Sequence, residues 1–370
     1  MKRRVDPPQP APASASPPPA LSPTLRVVVG LAAAAVALAG LYLARELVGP
    51  LAVGAVIVII CWPVRAPLVR RGWPSWTATT IVIVLGYAIL AALAAMLWFA
   101  GAQFVRLVAD LSVDLRDTAD AIVAGLASLG LDQQAGDAVA SVLDPSNLVS
   151  LLASLTGQAL GVLTAFFFVL AYVIFMAADG ARYARAATDF GPSSRPAMTR
   201  FAVYNRNVRR YYVVNATFGA IVAIIDGLAL WALGVPAPAV WAILAFVTNF
   251  VPNIGFVLGL VPPALLALVV GGWPLMLVVI VIYCVVNVTL QVLIQPKFVS
   301  DAVSLSLTLS FFSVIFWTFV IGPLGAILSI PLTLLVRALV LEQDPKSVWL
   351  RWLSGDTAAT ERAPEDNGSG

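Results

Sequence analysis

The chain has 370 residues, 60% of them hydrophobic and 11% charged, with a mean hydropathy of +0.94, values outside the usual range of water-soluble domains that predict a membrane protein. The formal net charge of +3 is too small and too dispersed to argue for nucleic acid as a partner. The sequence holds no histidine, the commonest general base and metal ligand, and no Gly-Lys pair to open a Walker A phosphate loop, so ATP hydrolysis by that route is excluded and no cofactor is expected.

Residues 1–24 are rich in Pro, Ala and Ser behind Lys2, Arg3 and Arg4, a composition that cannot bury enough apolar area to order itself and predicts a disordered tail. Residues 25–102 then predict three membrane helices. The apolar runs Val27 to Ala44 and Leu47 to Trp62 follow each other directly, which suits a retained first helix better than a signal peptide. Arg65, Arg70 and Arg71 fall in a loop punctuated by Pro63, Pro67 and Pro74, and the third helix lies within Thr77 to Ala102.

Residues 103–156 change character. From Gln103 to Asp144 there are seven Asp against two Arg, with Phe104, Leu107, Leu111 and Leu115 at helical spacing, which predicts an amphipathic, water-facing helical region. A fourth crossing is expected at 157–178. The segment 179–210 that follows carries seven Arg against two Asp and is expected as a basic linker. By the positive-inside rule, the arginine-rich segments and both termini face the cytoplasm and the acidic region faces outward.

Between Tyr211 and Val336 the charged side chains are Asp226, Lys297 and Asp301 alone, and Gly227 to Pro296 carries none. Water cannot be the solvent of such a run, and lipid accepts helices or closed barrels only; continuous apolar runs without period-2 alternation select helices. Within the expected core, 211–341, the fifth crossing is Tyr211 to Leu233. The run Ala239 to Val251 is too short to span and stops at Pro252 before Ile254 to Val270, so 239–270 is expected as a re-entrant helical hairpin. Crossings are expected at Leu275 to Ile294, Leu305 to Ile321 and Pro323 to Leu341, and 342–370 as a disordered cytoplasmic tail. The expected fold is therefore an all-α polytopic membrane protein with about eight transmembrane helices, a re-entrant helical hairpin and an extracytoplasmic helical region. Reading 239–270 as one kinked span instead gives nine crossings. Cys61 and Cys284 both sit inside apolar runs and are expected as small core residues rather than a disulfide.

An ionisable side chain in a bilayer costs several kcal/mol, roughly 2.5 to 3.5 on insertion scales, so it marks a function or faces a partner. Asp226 lies near the middle of the fifth crossing, on nearly the same face as Asn215; it either serves a pathway or hydrogen-bonds a neighbouring helix during assembly. Tyr283, Asn287, Gln291 and Gln295 recur every four residues and share a face that either lines a wet cavity or glues helices. Pro252, Asn253, Gly255, Gly259, Pro262 and Pro263 break or thin the backbone, as in transporter sites, although Gly255 and Gly259 also fit a small-residue packing face. Arg206, Arg209 and Arg210 cluster on one helical face before the fifth crossing, either as a topology anchor that also attracts anionic headgroups or as a substrate gate.

Several stretches resemble the autoinducer-2 exporter family of bacterial permeases: Asn249-Phe250-Val251-Pro252-Asn253-Ile254-Gly255 followed by Gly259-Leu260-Val261-Pro262-Pro263; Gln291 with Gln295-Pro296-Lys297; and Gly322-Pro323-Leu324-Gly325-Ala326 through Ile330-Pro331-Leu332. The resemblance is strong from about 200 to 340 and adds Asn249 and Lys297 to the candidate pathway residues. It departs where the family usually carries a tyrosine at Asn253, a glutamate at Gln295 and a histidine-containing sequence across 300–307. It implies export of small molecules such as a furanone signal, and some relatives resemble sodium/proton antiporters.

The expected function is a non-enzymatic inner-membrane permease that exports a small polar solute, autoinducer-like signal or metabolite, driven by an ion gradient, with membrane lipids, the solute and a coupling ion as partners and a homo-oligomer as its assembly. A monovalent cation/proton antiporter and a non-transporting membrane scaffold are the competing expectations.

Overall fold

The computed structural model describes residues 22–128, 141, 144, 146, 147, 150, 159–189, 195–299 and 305–340. Both predicted tails apart from residues 22–24, much of the acidic region beyond Ser128, and Asp301 lie outside these. The described residues are helical, as expected of a chain whose backbone must satisfy its own hydrogen bonds in hydrocarbon.

The chain divides into two compact units, residues 1–43 and 44–370. The first contributes one described helix, α1 (Pro23–Leu43), apolar and exposed along most of its length. The second begins with α2 (Arg45–Cys61), continues through a 3-10 turn at Trp62–Val64 into α3 (Arg65–Arg70), and then α4 (Ser75–Asp110) and α5 (Ser112–Ser128). Next come α6 (Ala159–Asp189), α7 (Arg195–Ala232) and the short α8 (Pro238–Thr248). The remaining elements are α9 (Gly255–Asn287), a π-helix at Val288–Ile294, α10 (Pro296–Val299), α11 (Leu307–Ile321) and α12 (Pro323–Val340).

By length and composition, four helices could cross a membrane: 45–70, 75–110, 197–232 and 255–294. Shorter apolar helices accompany them at Val27–Leu43, Thr164–Gly180, Pro238–Thr248, Leu307–Ile321 and Pro323–Leu339. Large apolar side chains cover the outside, among them Trp98 at 80% exposure and Phe319 at 76%, a surface that suits lipid or a protein partner and not water. The chain is a multi-pass membrane protein.

The 255–294 stretch is not one rod. Gly272 takes φ 70° and ψ −171°, outside the helical region, and splits α9 into 255–271 and 273–287. Only glycine reaches that backbone without strain, and Pro274 behind it has no N–H to carry the earlier helix onward. The predicted break near Pro252 is also present: helix stops at Thr248 and resumes at Gly255 through a turn in which Asn253 is left-handed (φ 64°). Asn is a residue type that tolerates this conformation, so its place here suits the turn.

Two predicted boundaries move. The third membrane helix does not end at 102 but runs on to Asp110, because Phe104 and Leu107 pack against Trp241, with Phe104 and Trp241 edge to face at 6.0 Å. The arginine segments are also more helical than a linker: α6 extends to Asp189 and α7 starts at Arg195. Arg65 lies over the Trp62 ring at 5.2 Å and donates to Thr79 and Ser75, which holds α3 onto the start of α4.

Inside the second unit α2 packs against α4, α6, α7, α11 and α12, while α8 packs between α4, α7 and α9. The α2–α4–α6 junction is apolar: Ile57, Val58, Cys61, Val82, Leu90, Val169, Val173 and Ala177 form one buried cluster. At the carboxyl end, Pro331 cannot donate to the carbonyl of Ile327, four residues earlier in α12. The hydroxyl of Tyr212 on α7 donates to that carbonyl at 3.0 Å and so docks the two helices.

Candidate functional site

The broken backbone places five helical segments and one turn around a pocket. Its lining comprises Val222 and Asp226 from α7, Ala245 and Thr248 from α8, Asn249 from the turn, Gly255, Phe256 and Gly259 from the first part of α9, Tyr283 and Asn287 from the second, and Gln291 from the π-helix. The centre of a water molecule has only about 10 Å³ to move in, room for roughly one water. The end of α8 and the start of α9 approach closely because Gly255 has no side chain: a Cβ there would run into the Thr248 carbonyl.

Asp226 is fully buried, and among the described residues neither carboxyl oxygen has a partner in hydrogen-bond geometry. The Tyr283 hydroxyl, at 1% exposure for the residue, is likewise unpartnered. The Asn287 amide lies near enough to act on the Asp226 carboxyl as a donor, but in hydrogen-bond geometry its Nδ2 donates to the Tyr283 carbonyl at 2.8 Å while its Oδ1 accepts from Gln291 Nε2. Among the described residues no lysine or arginine lines the pocket. A single acid therefore faces a polar wall without a counter-charge, an arrangement that can hold one proton or one small cation, or orient hydroxyl and amide groups of a solute.

Six of the ten predicted pathway residues meet here: Asp226, Asn249, Gly255, Tyr283, Asn287 and Gln291. Pro252 and Asn253 sit in the turn outside the lining, and Lys297 is exposed on α10. Gln295 is also outside the lining and donates through Nε2 to Asn215 Oδ1 at 2.6 Å. Thr248 went unnoticed in the sequence reading, although it is a polar residue in an otherwise apolar helix beside Asn249. Its hydroxyl donates to the Leu244 carbonyl at 2.8 Å.

Three of the four residues at every-four spacing, Tyr283, Asn287 and Gln291, share the pocket wall. Four residues of α-helix overshoot a full turn by about 40°, so Tyr283, Asn287, Gln291 and Gln295 would drift around the axis. From Val288 to Ile294 the helix is π, with i→i+5 bonds and a wider turn that four residues fall short of, so the drift reverses.

The chain matches the model of the AI-2E family transporters over residues 31–343. It belongs to that family. It is 28% identical over 321 residues to the AI-2 transport protein TqsA of Escherichia coli K12, covering 86% of this chain and 92% of that protein. A transport protein of Haemophilus influenzae is 25% identical over 336 residues, covering 90% and 96%. The transport protein YhhT of Escherichia coli K12 is 25% identical over 321 residues, covering 84% and 88%. The stretches 249–255 and 291–297, which resemble that family, fall in the turn between α8 and α9 and across the end of the π-helix.

Proposed function

We propose that this membrane transport protein exports a small polar solute across the inner membrane, driven by an ion gradient. It would work with both termini in the cytoplasm, about eight crossings and a re-entrant pair formed by α8 and residues 255–271, as a homo-oligomer among membrane lipids. The observation that carries the reading is the uncompensated Asp226 carboxyl in a polar pocket where two helices are broken. Such a site is costly in lipid and is the arrangement by which transporters hold solute and coupling ion at mid-depth. The name of the TqsA relative, AI-2 transport protein, supports a signal-like or metabolite-sized solute. The present pocket volume suits an occluded or ion-sized occupant, so solute entry requires the hairpin to move.

The test is uptake of a labelled autoinducer-2-type furanone into inverted vesicles carrying the full chain, with and without a pH gradient. Uptake that depends on both the protein and the gradient is expected. Equal uptake with vesicles lacking the protein would reject the reading in favour of a scaffold.

A second reading, monovalent cation/proton antiport, is favoured by the missing counter-charge at Asp226. It differs in a measurable way: sodium or potassium added to acidified inverted vesicles would release protons without any organic solute, and Asp226→Asn would abolish that release.

A further inference from the structure

The strongest unassigned feature is the set of contacts between the pocket and the end of the bundle where Arg206, Arg209, Arg210 and Lys297 collect. Asn215, 5% exposed, lies about three turns before Asp226 on α7, on the arginine side of the pocket. Its side chain accepts from Gln295 Nε2 at 2.6 Å, and its backbone carbonyl accepts from Asn249 Nδ2 at 2.8 Å. One residue thus joins α7 to the hairpin turn and to the end of the π-helix. Gly219, one turn further on, leaves the space for this: a Cβ there would stand 2.6 Å from Asn249 Nδ2. Arg210 Nε donates to the Phe298 carbonyl at 2.9 Å, and the Phe218 and Phe298 rings meet at 5.6 Å. Together these contacts close a layer between the pocket and the basic end, which the positive-inside rule puts at the cytoplasm.

We propose that Asn215 and Gln295, with Asn249 as third member, form the cytoplasmic gate of the pocket, and that the π-helix is its moving part. The inference rests on reading the pocket as the transport pathway. Three features fit a gate better than permanent helix glue. The pairs are neutral amides, weaker than charge-assisted bonds and so easier to exchange for solute or water. Gln295 sits directly after the π segment, whose backbone N–H to Leu290 carbonyl bond at 2.8 Å ends it. Converting that segment to α-helix would turn Gln295 by about one residue's rotation, roughly 100°, and withdraw it from Asn215. Finally, the π segment is wired to the pocket, because Gln291 within it donates to Asn287 beside Asp226. An occupant that draws the Asn287 amide to itself competes with the Gln291 link, so pocket and gate share one bistable element. The titratable groups lining the pocket are Asp226 from α7 and Tyr283 from α9, and α8 contributes none.

The test uses accessibility, not transport. In full-length protein with Cys61→Ala and Cys284→Ala, the reporter is Ala245→Cys in the pocket wall, probed by a membrane-impermeant methanethiosulfonate from either face of oriented vesicles. Gln295→Ala and Asn215→Ala are each expected to raise the labelling rate from the cytoplasmic face at least tenfold while leaving the outer-face rate unchanged. The exchanged pair Asn215→Gln with Gln295→Asn, which retains both amides, is expected to restore protection and also tests the gate if an alanine variant fails to insert. Unchanged cytoplasmic labelling, an equal rise from both faces, or an exchanged pair as reactive as the alanine variants would overturn the proposal. No solute enters the measurement, so failure of the export reading leaves this result standing, and normal furanone uptake with unchanged labelling would remove the gate alone.

Discussion

Two packed regions of the second unit are built on opposite rules. At the α2–α4–α6 junction, apolar side chains fill the space, Val82 and Val173 are fully buried, and Tyr87 satisfies its hydroxyl on the Leu170 carbonyl at 3.0 Å. At the seam between α7, α8 and α9, equally buried positions hold Asn215, Asp226, Tyr283 and Asn287, and among the described residues the Asp226 oxygens and Tyr283 hydroxyl find no partner in hydrogen-bond geometry. Lipid does not reward burial as water does, so the first region is held by close packing and the second is less stable than an apolar filling would make it. Polar groups retained at such a cost point to use, and substitutions in the two regions should have opposite consequences.

The largest effect is expected from carrying the seam's chemistry into the dry junction. Val173→Asp puts an uncompensated carboxyl among Ile57, Gly86 and Val169 and should cost about 3 kcal/mol, seen as loss of membrane-inserted protein and a collapsed melting transition in detergent. If the variant melts like the parent, the two regions are not different in kind. The reverse change, Asp226→Asn, should reduce ion-linked flux at least tenfold, about 1.4 kcal/mol in the activation free energy of transport, while holding or raising the melting temperature. A lower melting temperature with flux intact would make Asp226 an assembly contact.

Gln291→Leu sharpens the contrast at lower amplitude. It removes a pocket wall group and the link to Asn287, so uptake should fall several-fold with the melting temperature unchanged within about a degree, a change of a few tenths of a kcal/mol at most. Lower stability with unchanged transport per folded molecule would return the stripe to helix glue. The smallest effect belongs to Tyr87→Phe, which deletes one hydrogen bond in the dry junction. Thermal unfolding should register about 0.6 kcal/mol of destabilisation, and vesicle uptake should not change.

The candidate site was partly legible in the sequence because the membrane makes polar residues conspicuous. Asp226, Asn287 and Gln291 stand out in uncharged stretches, and their spacing put the latter two on one face. Thr248 was missed because a threonine bonding its own helix costs little and draws no notice. Gln295 was assigned to the same row as Gln291, yet it faces Asn215 outside the lining. Its partner lies 80 residues away in sequence, a pairing that no local pattern encodes.

The sequence by itself determined the solvent and the class of structure: stretches without charge exclude water, lipid requires the backbone to bond to itself, and the breaks follow from Pro252, Gly272 and Pro274, whose backbone limits are intrinsic. It also determined approximately where helices start and stop in the 211–341 core. Tertiary structure decided how far α4 extends past its apolar run, because Leu107 finds a partner in the cluster around Trp241 only once α4 meets α8. It also decided that the Ile327 carbonyl freed by Pro331 is taken by Tyr212, and that Asn215 closes on both Gln295 and Asn249. Those choices depend on which polar groups several helices bring within hydrogen-bond distance of about 3 Å, a property of their joint packing and not of any one segment.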